Sequence, residues 1–188
     1  MKVVQMLPAL EGGGVERGTV ELNRFLVTKG HQSIVISKGG KLVSQIEADE
    51  GRHLDWEVGK KSLLTLRYVR RLRRFLIEEG VDVLHLRSRV PAWVAYLAWR
   101  GMPAARRPRL VTTVHGFYSV GRLSAIMTKG ERVIAVSEAI REYVSTNYPA
   151  VDPEIVEVIH RGIDPALYHH DFQPSEDWEQ AWLDEFPG

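Results

Sequence analysis

The sequence predicts a doubly wound α/β domain, with helices on both faces of a mostly parallel sheet. Two observations carry this. Short runs of Val, Ile and Leu are mostly continuous rather than alternating, which is the pattern of strands covered on both faces. Longer stretches of helical periodicity fall between them, so β and α units alternate along the chain. In such folds ligands gather beyond the carboxyl ends of the strands.

The elements follow in order. Val3–Leu7 is the first predicted strand. Val15, Thr19, Leu22 and Leu26 then recur at helical spacing, and Gly30 supplies the C-cap. Ser33–Ser37 is the second strand, and a weaker run over His53–Val58 suits an edge strand. Leu66, Val69, Leu72 and Leu76 form the apolar stripe of a helix ended by Gly80. Val81–Leu86 precedes a helix from Pro91 to Trp99, where the proline suits the first turn. Leu110–Val114 and Arg132–Ala135 are strands. Ser137 is the expected N-cap of "EAIREYVSTNY", and Ile155–Ile159 is the last strand. The tail "PSEDWEQAWLDEFPG" is acidic and aromatic. Trp178, Trp182 and Phe186 lie four apart with Leu183 beside them, a helix with a large apolar face and a candidate homodimer surface. Pro187 and Gly188 stand where a further element would ordinarily begin, so a fragment of a longer protein is expected.

Composition narrows the function. The 188 residues carry a net charge of +1, which leaves no electrostatic footprint for nucleic acid. There is no cysteine, so disulfides, thiolate catalysis and cysteine–zinc sites are excluded. The longest apolar run, Val90–Trp99, is about half of the roughly 20 residues a membrane span needs. The N-terminus reads as a strand rather than a signal peptide, and a cytoplasmic chain is expected.

The stretch "MLPALEGGGVERGTVELNRFL" places three glycines between the first strand and the first helix. Two common phosphate motifs fail there. The dinucleotide fingerprint needs a sixth-position glycine, where Arg17 stands when counted from Gly12, and the second strand ends in Ser37-Lys38 instead of an acidic residue. The P-loop spacing from Gly13 to Gly18 puts Thr19 where lysine is required. What remains is general: glycines admit a ligand close to the backbone, and a helix N-terminus offers unpaired N–H groups to an anion. The same residues also suit a plain strand-to-helix turn.

"GGGVERGTVELNRFLVTKGHQSIVIS" resembles the start of family 4 glycosyltransferases, through Gly13-Gly14-Val15-Glu16-Arg17 and the Gly30-His31 pair. "DVLHLRSRVPAWVAYLA", "LVTTVHGFYS", "ERVIAVSEAIREYV" and "VIHRGIDPALY" match further family stretches in the expected order. The resemblance covers Lys2 to about Tyr168. It implies a Rossmann-like domain that is one half of a GT-B fold. Residues 1–168 would be the N-terminal, acceptor-side domain, and 169–188 the start of a helical inter-domain linker. The C-terminal nucleotide-sugar domain would be absent. Expected partners are a nucleotide-sugar donor and a glycan or lipid-linked acceptor of the cell envelope, such as lipopolysaccharide. The resemblance implies a retaining hexosyltransferase, inactive as this fragment, that needs neither metal nor cofactor.

Site residues follow from the same resemblance. His115, after "LVTTV" and before Gly116, matches the histidine that contacts the transferred sugar; a strand-capping histidine is the plainer reading. Gly12, Gly13 and Gly14 would offer amides to donor phosphates or to the acceptor. Arg87 and Arg89 suit a carboxylate or phosphate and Ser88 a hydroxyl, or all three simply end a strand at a surface loop. Trp93 fits helix packing and His31 a structural role. Ser137 explains itself as a cap, with the cleft as a secondary role. Arg161 stands where relatives have asparagine before Gly162-Ile163-Asp164, and a turn that starts the linker is the safer reading there.

Arg67, Arg70, Arg71 and Arg74 share one helix face at i, i+3, i+4 and i+7. They suit either a solvated exterior or an anionic membrane surface on the cytoplasmic side, to which Arg106, Arg107 and Arg109 could add. Two other classes compete with the transferase: half of a GT-B-type nucleotide-sugar 2-epimerase, and a non-catalytic sugar- or phosphate-binding module.

Overall fold

Lys2–Met6 forms β1, with Val4 and Met6 fully buried. The computed structural model describes residues 1–162 and 171–186. Along them run α1 (Gly14–Thr28), β2 (Gln32–Ser37), α2 (Val43–Ala48), β3 (Arg52–Asp55), α3 (Arg67–Glu79) and β4 (Val83–Leu86). Then come α4 (Arg89–Arg100), β5 (Arg109–Val114), β6 (Arg132–Ala135), α5 (Glu138–Asn147), β7 (Val156–Val158) and α6 (Glu176–Glu185). The seven strands make one sheet in the order β3-β2-β1-β4-β5-β6-β7, and every pairing is parallel. This is the predicted doubly wound, Rossmann-like architecture. The predicted boundary at residue 168, Ile163-Asp164 and the Pro187-Gly188 end lie outside the described residues.

The strand order reverses between β1 and β4, which opens a crevice at their carboxyl ends. The two faces are covered differently. Leu7, Leu10, Val20, Val35 and Ile46 pack α1 and α2 against one face. The larger cluster, including Val4, Ile34, Leu72, Leu84, Ala95, Leu110 and Ile140, packs α3, α4 and α5 against the other. The first face is therefore covered over β1 and β2. Over β4, β5 and β6 it is bounded by α1 and by the segment after β7.

Two helix stripes are rotated from their predicted positions. In α1 the buried residues are Thr19, Val20, Asn23 and Leu26, while Val15 and Leu22 are half-buried. Asn23 donates to the Ile46 carbonyl at 3.3 Å, so α1 leans toward α2 and turns Leu22 toward the open part of the sheet. Leu66 is 46% exposed in a tight turn ahead of α3, and Tyr68 takes the buried place instead, stacked on Trp56 with ring centroids 5.9 Å apart. Glycines end α1 and α3 as expected: Gly30 has φ +74°, and Gly80 caps α3 at φ 60°, ψ 51°. The Ser137 hydroxyl caps α5, accepting from the Ile140 N–H at 3.3 Å.

Candidate functional site

The carboxyl ends of β4, β5 and β6 carry His85, Arg87, Thr113, His115, Ile134 and Val136 toward the same side, because alternate strand residues share a face. With α1 and the segment after β7 they enclose a cleft of about 370 Å³, within the range of small-molecule sites. His85 lies at its floor, buried, with Nε2 2.7 Å from Thr113 Oγ1. Burial, reinforced by the charges of Arg87 and His115, holds its pKa well below the ordinary value, so the ring is neutral.

Arg87 follows β4 and extends the ladder, its N–H donating to the Met6 carbonyl at 3.0 Å. Its side chain runs inward and is only 7% exposed. Nη1 donates to Gln5 Oε1 at 3.3 Å, and Gln5 is itself held by the Thr19 carbonyl. Nε has no partner, and among the described residues no carboxylate forms an ion pair with this guanidinium. Gly18 makes the placement possible, since a Cβ there would sit 3.2 Å from Arg87 Nη2. Burial, then the Arg161 charge, lowers the Arg87 pKa to about 10 against the opposing pull of Glu21. It remains a cation at neutral pH.

His115 ends β5. Its backbone N–H donates to the Tyr118 hydroxyl at 3.2 Å. Arg161 Nη2 donates to its Nδ1 at 2.8 Å, so the neutral ring carries its proton on Nε2, which is buried without a partner. Burial first, then the neighbouring Arg87 and Arg161 charges, pushes the His115 pKa down to about 3. Arg161 also lies over the glycine loop: a Cβ added to Gly14 would meet Nη1 at 2.7 Å. The loop, Arg161 and His115 are thus contiguous.

The loop has its own internal anion. Gly12 N–H and Gly13 N–H both donate to Glu16 Oε2, at 2.5 Å and 3.0 Å. Gly12 adopts φ +144°, a conformation that favours glycine. The predicted amide donors at Gly12 and Gly13 are therefore engaged by the carboxylate of the helix they precede, and Gly14, the first residue of α1, is the loop residue that meets Arg161.

The remaining candidates separate. Arg89 does not join Arg87: its guanidinium lies 4.8 Å over the Tyr118 ring and donates to Ser124 Oγ at 3.1 Å. Ser88 is the N-cap residue of α4, Ser137 caps α5, and Gly116 faces open space. Trp93 donates to the Leu123 carbonyl at 3.1 Å and packs on the core. Met1 accompanies His31, with its amino nitrogen 3.4 Å from Nδ1. On α3, Arg67 and Arg71 lie over Tyr68 and Trp56 at 5.0 Å and 4.2 Å, and Arg74 pairs with Glu78 at 2.7 Å. A larger cavity of about 580 Å³, lined by Met1, Val83, Arg106 and Arg109, opens at the amino ends of β4 and β5, the opposite end from His115. Arg106, Arg107 and Arg109 therefore flank the carboxyl end of α3 rather than extending its Arg67 end.

Arg161 corrects the sequence reading: it is part of the cleft rather than only a turn. Its signal was present, as a guanidinium where asparagine is usual, but nothing local to it names His115 as its partner. His85 and Gln5 gave no signal, since each reads as one residue of an apolar strand.

Residues 12–167 match the family described as Glycosyltransferase Family 4. No curated protein matches the chain. Among solved structures, a glycosyltransferase from Rickettsia africae shares 30% identity at a TM-score of 0.79, over 99% of this chain and 49% of its own. Anabaena HepE, solved with UDP and glucose, shares 17% identity at a TM-score of 0.74, over 98% of this chain and 50% of its own. The lipopolysaccharide outer core galactosyltransferase WaaB shares 13% identity at a TM-score of 0.67, over 87% of this chain and 46% of its own. The last two are likenesses of fold. The chain spans about half the length of these structures.

Proposed function

The chain belongs to glycosyltransferase family 4, and from that premise we propose that it is the acceptor-side half of a retaining glycosyltransferase. The donor is a nucleotide-sugar and the acceptor a cell-envelope glycan or lipid-linked saccharide. The observation that carries this reading is the junction of the glycine loop, Arg161 and His115 at the strand ends.

Sugar transfer builds negative charge on the leaving diphosphate and positive charge on the sugar. Fixed donors and dipoles aimed at those charges lower the barrier. Near neutral pH His115 is uncharged, and its Nδ1 lone pair is taken by Arg161. A proton-accepting role is therefore closed to it in this arrangement. What it offers is the Nε2–H, a donor for a hydroxyl of the transferred sugar. Arg161, over Gly14, brings a cation to the loop where the diphosphate would lie. Leu22 and the 56% exposed Phe25 line the cleft as apolar surface for a sugar ring.

On this reading the donor half lies outside these 188 residues, and the chain alone transfers no sugar. The arginine face of α3 rests on the cytoplasmic membrane surface. The α6 face, where Trp178 stacks on Trp182 at 5.4 Å and both are about half exposed, joins two copies; concentration-dependent sedimentation checks that last point.

The experiment is a transfer assay with a panel of nucleotide-sugars. The 188-residue chain alone should give no turnover. The protein encoded by the gene continued past codon 188 should transfer sugar, and His115→Ala in it should cut kcat at least ~100-fold, the scale of losing a positioned donor. Turnover by the short chain, or a continued gene product that epimerises instead of transferring, overturns the reading.

A further inference from the structure

We propose that Arg87 and Arg161 form a receptor for an anionic group, a phosphate or carboxylate, carried by the acceptor. This rests on the reading of the chain as the acceptor-side half. Arg87 anchors the receptor. A guanidinium 7% exposed, with Nε unpartnered and no ion pair, is a costly group to bury. Arg161 adds a second guanidinium to the same cleft, likewise without an ion pair among the described residues. The single described carboxylate that lines the cleft is Glu21. With His85 and His115 both neutral, the lining carries more positive than negative charge. An unpartnered Arg87 Nε and two guanidinium cations in one cleft, with no ion pair among the described residues, describe a site completed by an anion with several oxygens.

The surroundings favour the acceptor over the donor as its source. Arg87 lies at the inner wall, between Gln5 of β1 and Gly18 of α1, beneath helix α1 rather than at its glycine-loop end. A diphosphate at the loop would meet Gly14 and Arg161; the Arg87 guanidinium lies deeper. A saccharide whose ring rests on Leu22 and Phe25 would direct an acidic substituent down to Arg87. Arg161 thereby becomes a specificity-determining residue at a position where it departs from the asparagine of relatives and where the sequence suggested only a turn that starts the linker.

The test is calorimetric titration of the 188-residue chain with inorganic phosphate, acetate, UDP and methyl α-glucopyranoside. Phosphate or acetate should bind and the neutral glycoside should not; whichever anion binds more tightly names the substituent. Arg87→Gln and Arg161→Gln should each weaken that binding about tenfold, the scale of one charged hydrogen bond. Arg89→Gln, turned onto Tyr118, should leave it unchanged. If Arg87→Gln does not fold, Arg87→Lys, which keeps the cation and loses the forked donors, takes its place and should weaken the same binding. Anion binding that both substitutions leave intact, or no anion binding at all, overturns the proposal. Tighter binding of UDP with the same dependence on Arg87 also overturns it, by assigning the receptor to the donor diphosphate. None of these measurements needs sugar transfer, so they fail or succeed separately from the transfer assay.

Discussion

Arg161 and His115, 46 positions apart, are joined by a 2.8 Å hydrogen bond that closes the cleft against the glycine loop. The bond sets the proton position on the imidazole and holds a cation beside it. It also makes three sequence motifs one structural unit, because the same guanidinium covers Gly14.

The first consequence is a pH dependence. His115 faces Arg87, Arg161, His85 and the Tyr118 hydroxyl, and burial and the two arginines hold its pKa near 3 in the fold. An unfolded histidine titrates near 6.5, so between these values the unfolded chain binds the proton and the folded one does not. The stabilisation from the neutral ring is complete above about pH 6.5 and is lost as pH falls toward 3. At pH 5 the loss is at most about 2 kcal/mol, and His85 acts in the same direction. Urea melts at pH 7 and pH 5 measure it. Arg161→Gln should raise the His115 midpoint, read from its ring signals by NMR.

Gly14→Ala probes the same contact from the other side. The new Cβ would meet Arg161 Nη1 at 2.7 Å, and the guanidinium is the far end of a flexible side chain, so it moves. The expected result is an unchanged melting temperature and a raised His115 midpoint. Combined with Arg161→Gln, the two shifts should not add, because both remove one interaction. Full additivity would show that Arg161 does not act on His115 through this contact.

Glu16→Ala should cost about 1 kcal/mol, since it removes the acceptor of the Gly12 and Gly13 amides and a favourable carboxylate at a helix N-terminus. For a chain of this size that is roughly 2–4 °C in melting temperature. The same change frees two N–H groups beside Gly14, so inorganic phosphate should bind more tightly to the variant than to the parent chain. A melting temperature that does not move would remove the internal cap from the account.

Legibility in the sequence was high wherever a signal is local. Val- and Ile-rich runs marked the strands to within about two residues except the edge strand β3, which ends at Asp55 where the weaker run extended to Val58, and Ser137, Gly30 and Gly80 marked helix ends, because capping and burial act over a few residues. The α1 stripe was less legible: Asn23, a polar residue, is buried through a bond to Ile46 in the next helix. In the site, His115 and the glycine loop were readable from motif order. Arg87 and Arg89, two positions apart, were not distinguishable. One ends a strand and points inward at 7% exposure, whereas the other begins α4 and lies on Tyr118. Arg161 depends on a contact made from beyond β7 to the end of β5, 46 positions away, which no local pattern encodes.

The arginine face of α3 supplies the last prediction. Arg67 and Arg71 spend part of their surface on Tyr68 and Trp56, and Arg74 on Glu78, while Arg70 is exposed. Replacing Arg71 would therefore disturb packing as well as charge. The cleaner variant is Arg70→Gln with Arg74→Gln, which spares both aromatic contacts. Each arginine near an anionic surface contributes up to about 1 kcal/mol, so the pair should weaken binding to phosphatidylserine-containing vesicles roughly 5- to 30-fold. Raising the salt toward 1 M should abolish binding of the parent chain, because the screening length falls to about 3 Å. Equal binding to neutral vesicles, or binding indifferent to both salt and the double substitution, would remove the membrane from the proposed function and leave α3 a solvated exterior.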